Sequence, residues 1–188
     1  MSRETVVLGH RTFRVLLDAM ARPGTVHDLP EARDWGSSLA GFALAMLDSE
    51  TSVAALDSSL TEIVLAAAEP VACPLRSPEE ADFVVVGGGS ASGWMDRLRT
   101  GSADYPDSSA TLVYLVDSLA ATGGDLTWKG PGILGSVSPE VKGLARDEWQ
   151  ALQQANSSYP IGLDAFFLDR TGQVMALPRS TRIEGVPA

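Results

Sequence analysis

Thr111-Leu112-Val113-Tyr114-Leu115-Val116 is the stretch that decides the fold class. The run is apolar throughout rather than alternating, the pattern of a strand covered on both faces. Phe83-Val84-Val85-Val86 repeats the pattern in a shorter form. Strands of this kind belong to parallel sheets layered between helices. Downstream, Asp164 to Leu168 and Gln173 to Leu177 flank Thr171-Gly172 and predict a hairpin. Its antiparallel pairing makes the sheet mixed.

Helical spacing supplies the outer layers. Phe13, Leu16, Leu17 and Met20 stand at i, i+3, i+4, i+7 and predict an amphipathic helix over 10–21, stopped by Arg22-Pro23-Gly24. Residues 37–48 predict a second helix with Ser37 or Ser38 as its cap. A further helix is expected over 92–99, between the two buried strands. Another is expected over 143–155, marked by Ala145, Trp149 and Leu152. Ser77-Pro78-Glu79-Glu80 predicts a short helical turn, and Leu126 to Lys129 a strand broken at Gly130-Pro131-Gly132. No repeat, low-complexity tract or compositional break divides the chain. The expectation is one α/β domain over 1–188, with helices on both faces of a mixed β-sheet.

The chain has 188 residues, 45% of them hydrophobic and 20% charged, enough for a core without disulfides. A formal charge of −10 argues against coating nucleic acid or an anionic membrane. The acidity is local: residues 28–125 carry 16 acidic and 4 basic side chains, while 1–27 carry four arginines against Glu4 and Asp18. Cys73 is the single cysteine, which excludes an internal disulfide and any zinc site needing several thiolates. With His10 and His27 the only histidines, no metal is expected. No run approaches the ~20 apolar residues of a membrane span, and Met1-Ser2-Arg3-Glu4-Thr5 does not open a signal peptide. A cytoplasmic location is the expectation.

No complete catalytic constellation is present, so no catalytic residue is assigned. Gly87-Gly88-Gly89 sits between strand and helix like a phosphate loop, but a dinucleotide fingerprint needs glycine where Ser92 stands. It reads as a connector, with a nucleotide-binding module as the alternative. A hydrolase using His27 and a remote serine is a second alternative, without a G-x-S-x-G elbow to support it. A self-sufficient pyridoxal-phosphate enzyme would need a Schiff-base lysine, and Lys129 is better placed than Lys142. The arginines carry more. Pro178-Arg179-Ser180-Thr181-Arg182 sets two planar guanidinium forks among hydroxyls, and Arg22 has a similar setting. Arg22, Arg179, Thr181 and Arg182 are therefore the candidate lining of a pocket for a small phosphate or phosphonate. Ion pairing with the chain's own carboxylates, or with a partner's, is the competing explanation. Trp35, between Asp34 and Gly36, is a candidate exposed interface anchor.

Several segments together resemble one family. Phe13-Arg14-Val15-Leu16-Leu17-Asp18-Ala19-Met20-Ala21-Arg22-Pro23-Gly24 resembles the opening of PhnH, a subunit of the bacterial carbon–phosphorus lyase machinery. Leu47-Asp48-Ser49-Glu50-Thr51, Gly101 with Pro106, Ala110-Thr111-Leu112 and Gly130-Pro131-Gly132-Ile133 follow in order. Tyr159-Pro160-Ile161-Gly162-Leu163-Asp164 and Ala176-Leu177-Pro178-Arg179-Ser180-Thr181-Arg182 close the set. The resemblance implies a three-layer αβα sandwich related to pyridoxal-phosphate transferases but without the cofactor and its lysine. It implies a homodimer in complex with partner subunits G, I and J. That complex couples a phosphonate to the ribose of ATP with release of adenine, then cleaves the carbon–phosphorus bond by radical chemistry. In it, PhnH is a non-catalytic support for the synthase step.

Overall fold

The computed structural model describes residues 2–88 and 93–186. Helix α1 (Arg3–Ala21) opens where the Ser2 hydroxyl accepts from the Thr5 amide, seven residues before the expected start. It stops at Arg22, after which Gly24 takes φ +82°. Helix α2 (Trp35–Met46) is capped by Asp34, not by a serine. The Asp34 carboxylate accepts from the Ser37 amide at 2.8 Å, and the Ser37 hydroxyl accepts from the Asp34 amide at 3.1 Å. Ser37 is thus the third helical residue of a capping box, and Ser38 is buried. Helix α3 (Thr61–Ala68) and helix α4 (Arg146–Ala155) complete the set. Helix α4 begins three residues later than its apolar spacing predicts, because Gly143 is left-handed and Ala145 is extended. The expected helix at 92–99 is a single 3-10 turn at Met95–Arg97; Ser92 lies outside the described residues. Met95 and Leu98, three apart, are both buried by that one turn.

The main sheet contains β1 (His27–Asp28), β2 (Val53–Ala55), β3 (Phe83–Gly87), β4 (Thr111–Leu115), β8 (Asp164–Leu168) and β9 (Gln173–Leu177). Their order is β1-β9-β8-β4-β3-β2. Strands β2, β3, β4 and β8 run parallel, while the β8–β9 hairpin and the β9–β1 pair are antiparallel. Two ribbons lie beside it: β6 (Thr127–Lys129) with β10 (Arg182–Glu184), and β5 (Ser118–Ala120) with β7 (Glu140–Lys142). Strands of two or three residues carry no periodicity, which is why β1, β5, β7 and β10 have no sequence signal.

Register explains the unbroken apolar runs. Val85, Val113, Phe166 and Ala176 form one row across four strands, and their side chains join the core under α1, α2 and α3. The next row, Val84, Leu112, Ala165 and Leu177, joins the opposite core. In the first core Phe42 of α2 meets Phe83 and Phe166 edge-on, with centroids 5.8 and 5.3 Å apart. In the second, Trp149 of α4 and Trp128 of β6 pack around Phe167. Both faces of the sheet are covered, which makes this a mixed α/β fold of the expected class.

Candidate functional site

The chain leaves β9 through Pro178, and Arg179 turns back onto the start of β8. Its Nε and Nη2 donate to Asp164 Oδ2 at 3.1 and 2.6 Å, and its amide donates to Asp164 Oδ1 at 2.7 Å. Nη2 also reaches the Ser109 hydroxyl at 2.5 Å, and Nη1 the carbonyl of Pro106 at 2.7 Å and that of Pro160 at 3.4 Å. One guanidinium therefore ties together the 106–109 turn, the Tyr159-Pro160 segment and both ends of the hairpin. The pair is largely buried, with side-chain exposures of 14% and 26%. A planar fork with fixed donor directions suits this task; a point charge would satisfy one partner at a time.

Beside this knot lies a cleft of 630 Å³ whose wall includes Pro131, Asn156, Arg179, Thr181, Arg182 and Glu184. Several of its polar groups are already engaged. Asn156 exchanges two hydrogen bonds with the Leu163 backbone, and Gln153 donates to the Ile183 carbonyl at 2.8 Å. Two are not. The Thr181 hydroxyl is buried and has no partner among the described residues. Arg182 is exposed and makes no ion pair among them, while Lys129, opposite it on β6, is held by Glu184 at 2.7 Å.

Of the four residues expected to share a pocket, the structure gathers Arg179, Thr181 and Arg182 around this cleft and places Arg22 outside its wall. The Gly130-Pro131-Gly132 turn is wedged between the two groups. A Cβ on Gly132 would lie 2.2 Å from the Ala21 carbonyl, and one on Gly130 would lie 3.0 Å from that of Ser180. Arg22, on the α1 side of the wedge, pairs with Asp18 at 2.8 Å, both side chains more than half exposed.

The remaining candidates have local partners. Gly88 donates to the Leu115 carbonyl and accepts from the Ala145 amide, so its backbone polar groups serve packing rather than a phosphate. Glycine is required there by close approach, since a Cβ would stand 2.2 Å from the Gly143 carbonyl. Gly89 lies outside the described residues. His27 lies in β1, where its Nε2 meets the Thr25 hydroxyl at 2.7 Å; burial and the Arg22 charge lower its pKa. Trp35 is half-buried as the first residue of α2. Its indole N–H donates to the Val116 carbonyl at 2.9 Å, and Arg170 stacks 3.9 Å above its ring. It is a structural residue here, not an exposed anchor.

Sequence reasoning missed Glu148. It lies in the first turn of α4 with no exposed surface, accepting from the Tyr114 hydroxyl at 2.8 Å. Burial raises its pKa, and burial followed by the Glu148 charge pushes Tyr114 well above the usual range. The signal was available: Glu148 is i+3 from Ala145 and i−4 from Leu152, on the apolar face. Among the described residues no group of three or more His, Cys, Asp or Glu is placed to hold a metal. No described helix is long and apolar enough to cross a membrane.

The fold and the cleft define a mixed-sheet α/β protein whose C-terminal hairpin is locked by an arginine–aspartate knot beside a polar cleft. A family model described as "Bacterial phosphonate metabolism protein (PhnH)" matches residues 3–184, and the chain belongs to that family. It is 33% identical over 181 residues to the alpha-D-ribose 1-methylphosphonate 5-triphosphate synthase subunit PhnH of Rhizobium meliloti (strain 1021), covering 92% of this chain and 88% of that protein. It is 29% identical over 171 residues to a protein of Stutzerimonas stutzeri named provisionally as C-P lyase subunit protein HtxG, covering 91% and 83%.

Proposed function

We propose that this chain is a non-catalytic subunit of the phosphonate-activating synthase within the carbon–phosphorus lyase assembly. The observation that carries the reading is the family match over nearly the whole chain, with relatives named as subunits. Its role is to support the step that couples a phosphonate to the ribose of ATP with release of adenine. The finer picture is a single domain over 1–188, cytoplasmic, homodimeric when isolated, and bound to subunits G, I and J in the assembly. Its fold is that of the pyridoxal-phosphate transferases without the cofactor. Supporting this, both lysines sit in surface ion pairs, Lys129 with Glu184 and Lys142 with Glu140. Co-expression with the other subunits of the same synthase tests the reading. The tagged chain is expected to retain them through purification, and a chain that emerges alone overturns it.

The cleft at the hairpin is the proposed site for a small phosphate or phosphonate. Its accessible free donor is the Arg182 guanidinium, with the unpartnered Thr181 hydroxyl enclosed just behind it, and Arg179 holds the wall that carries both. Arg182→Ala is expected to weaken methylphosphonate binding about tenfold by calorimetric titration, since a charge-assisted bond to an exposed ligand is worth on the order of 1.5 kcal/mol. Unchanged affinity would remove the site.

A further inference from the structure

Helix α1 buries one apolar stripe and leaves a second one outside. The side it turns to the protein carries Gly9, Thr12, Leu16 and Ala19, all buried. Gly9 sets the approach to α2: a Cβ there would stand 2.8 Å from the Leu44 carbonyl. Three large apolar side chains point outward, with Val6 49% exposed, Phe13 44% and Leu17 57%. Together with exposed His10 they sit at 6, 10, 13 and 17, while Met20 turns back against the core. That alternating four-three spacing is the seam of a coiled coil, a second apolar stripe on a helix whose first stripe is already used. Arg3, Arg11 and Arg14 are exposed beside or near the seam and make no ion pair among the described residues, while Asp18 is occupied by Arg22.

We propose that the outward face of α1 is the docking surface for an amphipathic helix of another subunit, one whose apolar stripe is flanked by aspartates and glutamates. The inference rests on the subunit reading above and names the face it uses. Four-three spacing selects a helix as the occupant, because only a helix presents knobs at matching intervals. The flanking arginines select an acidic one. They also select against a second copy of this chain. A two-fold contact along this seam would crowd Arg11 and Arg14 of both copies around its midpoint, four like charges, with Asp18 already held by Arg22.

The test uses the full chain co-expressed with the other subunits of its synthase. Phe13→Glu/Leu17→Glu places charge on the seam at already exposed positions, so folding is preserved, which a thermal melt verifies. Arg11→Glu/Arg14→Glu leaves the apolar seam intact and reverses its flank. Both variants are expected to melt like the parent yet lose at least tenfold in co-purified partner, and the parent's capture should weaken with added salt. Variants that fold and still bring down the partners at parental levels overturn the proposal. So does an isolated parent that is a dimer and becomes monomeric on Phe13→Glu/Leu17→Glu, which would assign the face to self-association. A parent that captures no subunit fails at the earlier step, the subunit reading, and removes the proposal with it.

Discussion

Two charged residues withdrawn from solvent to different degrees, Arg179 in part and Glu148 fully, play opposite roles. Arg179 is saturated: every part of its fork has an acceptor, so the knot holds the hairpin to the turns around it. Its place was legible as a landmark in Pro178–Arg182, but its partner was not. Asp164 is 15 residues away and Ser109 is 70, and nothing in one sequence pairs them. Glu148 is buried with one strong donor, Tyr114, and its Oε1 lacks a partner among the described residues. Its carboxyl binds a proton more tightly folded than unfolded. Its contribution is therefore complete below the unfolded value of about 4.3 and fades as pH rises through the raised folded value. Glu148→Gln removes the charge and keeps an acceptor for Tyr114. It is expected to stabilise the chain by about 1 kcal/mol at pH 8, with the gain shrinking toward pH 4. Urea denaturation at both pH values measures this, and a gain independent of pH would mean the carboxyl is not the titrating cause.

At the scale of elements, what the sequence conveyed depended on length and on how many faces each element buries. Strands β3, β4, β8 and β9 were legible because five residues buried on two faces leave an unbroken apolar run. Strands β5, β7 and β10 were not, since three residues in a ribbon can hold almost any side chains. The instructive case is α1. Its existence followed from the spacing of Phe13, Leu16, Leu17 and Met20, but its orientation did not. Periodicity finds the largest apolar stripe and assigns it to the core. Here the core side is built from Gly9, Thr12 and Ala19, because a close helix–helix approach to α2 selects small residues over large ones. Of the stripe, Leu16 is buried and Met20 partly so, while Phe13 and Leu17 lie in solvent. Size, not hydrophobicity alone, decided which face went inward.

At the scale of the molecule, the two cores share one sheet. Alternate residues of the same five-residue strands enter opposite cores: Val113 and Leu115 one, Leu112 and Tyr114 the other. Neither core can be dismantled while those strands stay paired, so the chain should unfold in a single transition. The tryptophans allow a direct check, because Trp94, Trp128 and Trp149 belong to one core and Trp35 packs against the other. In a Trp35→Phe background every remaining indole reports from the α4 side of the sheet. Phe42→Ala is then made on the far side, where the ring meets Phe83 and Phe166. Removing it leaves a cavity and is expected to cost about 3–5 kcal/mol. If the sheet couples the cores, tryptophan fluorescence and far-UV circular dichroism will show the same lowered midpoint with the same slope. If the faces are independent, the fluorescence midpoint will stay at its parental value while the circular dichroism transition splits in two.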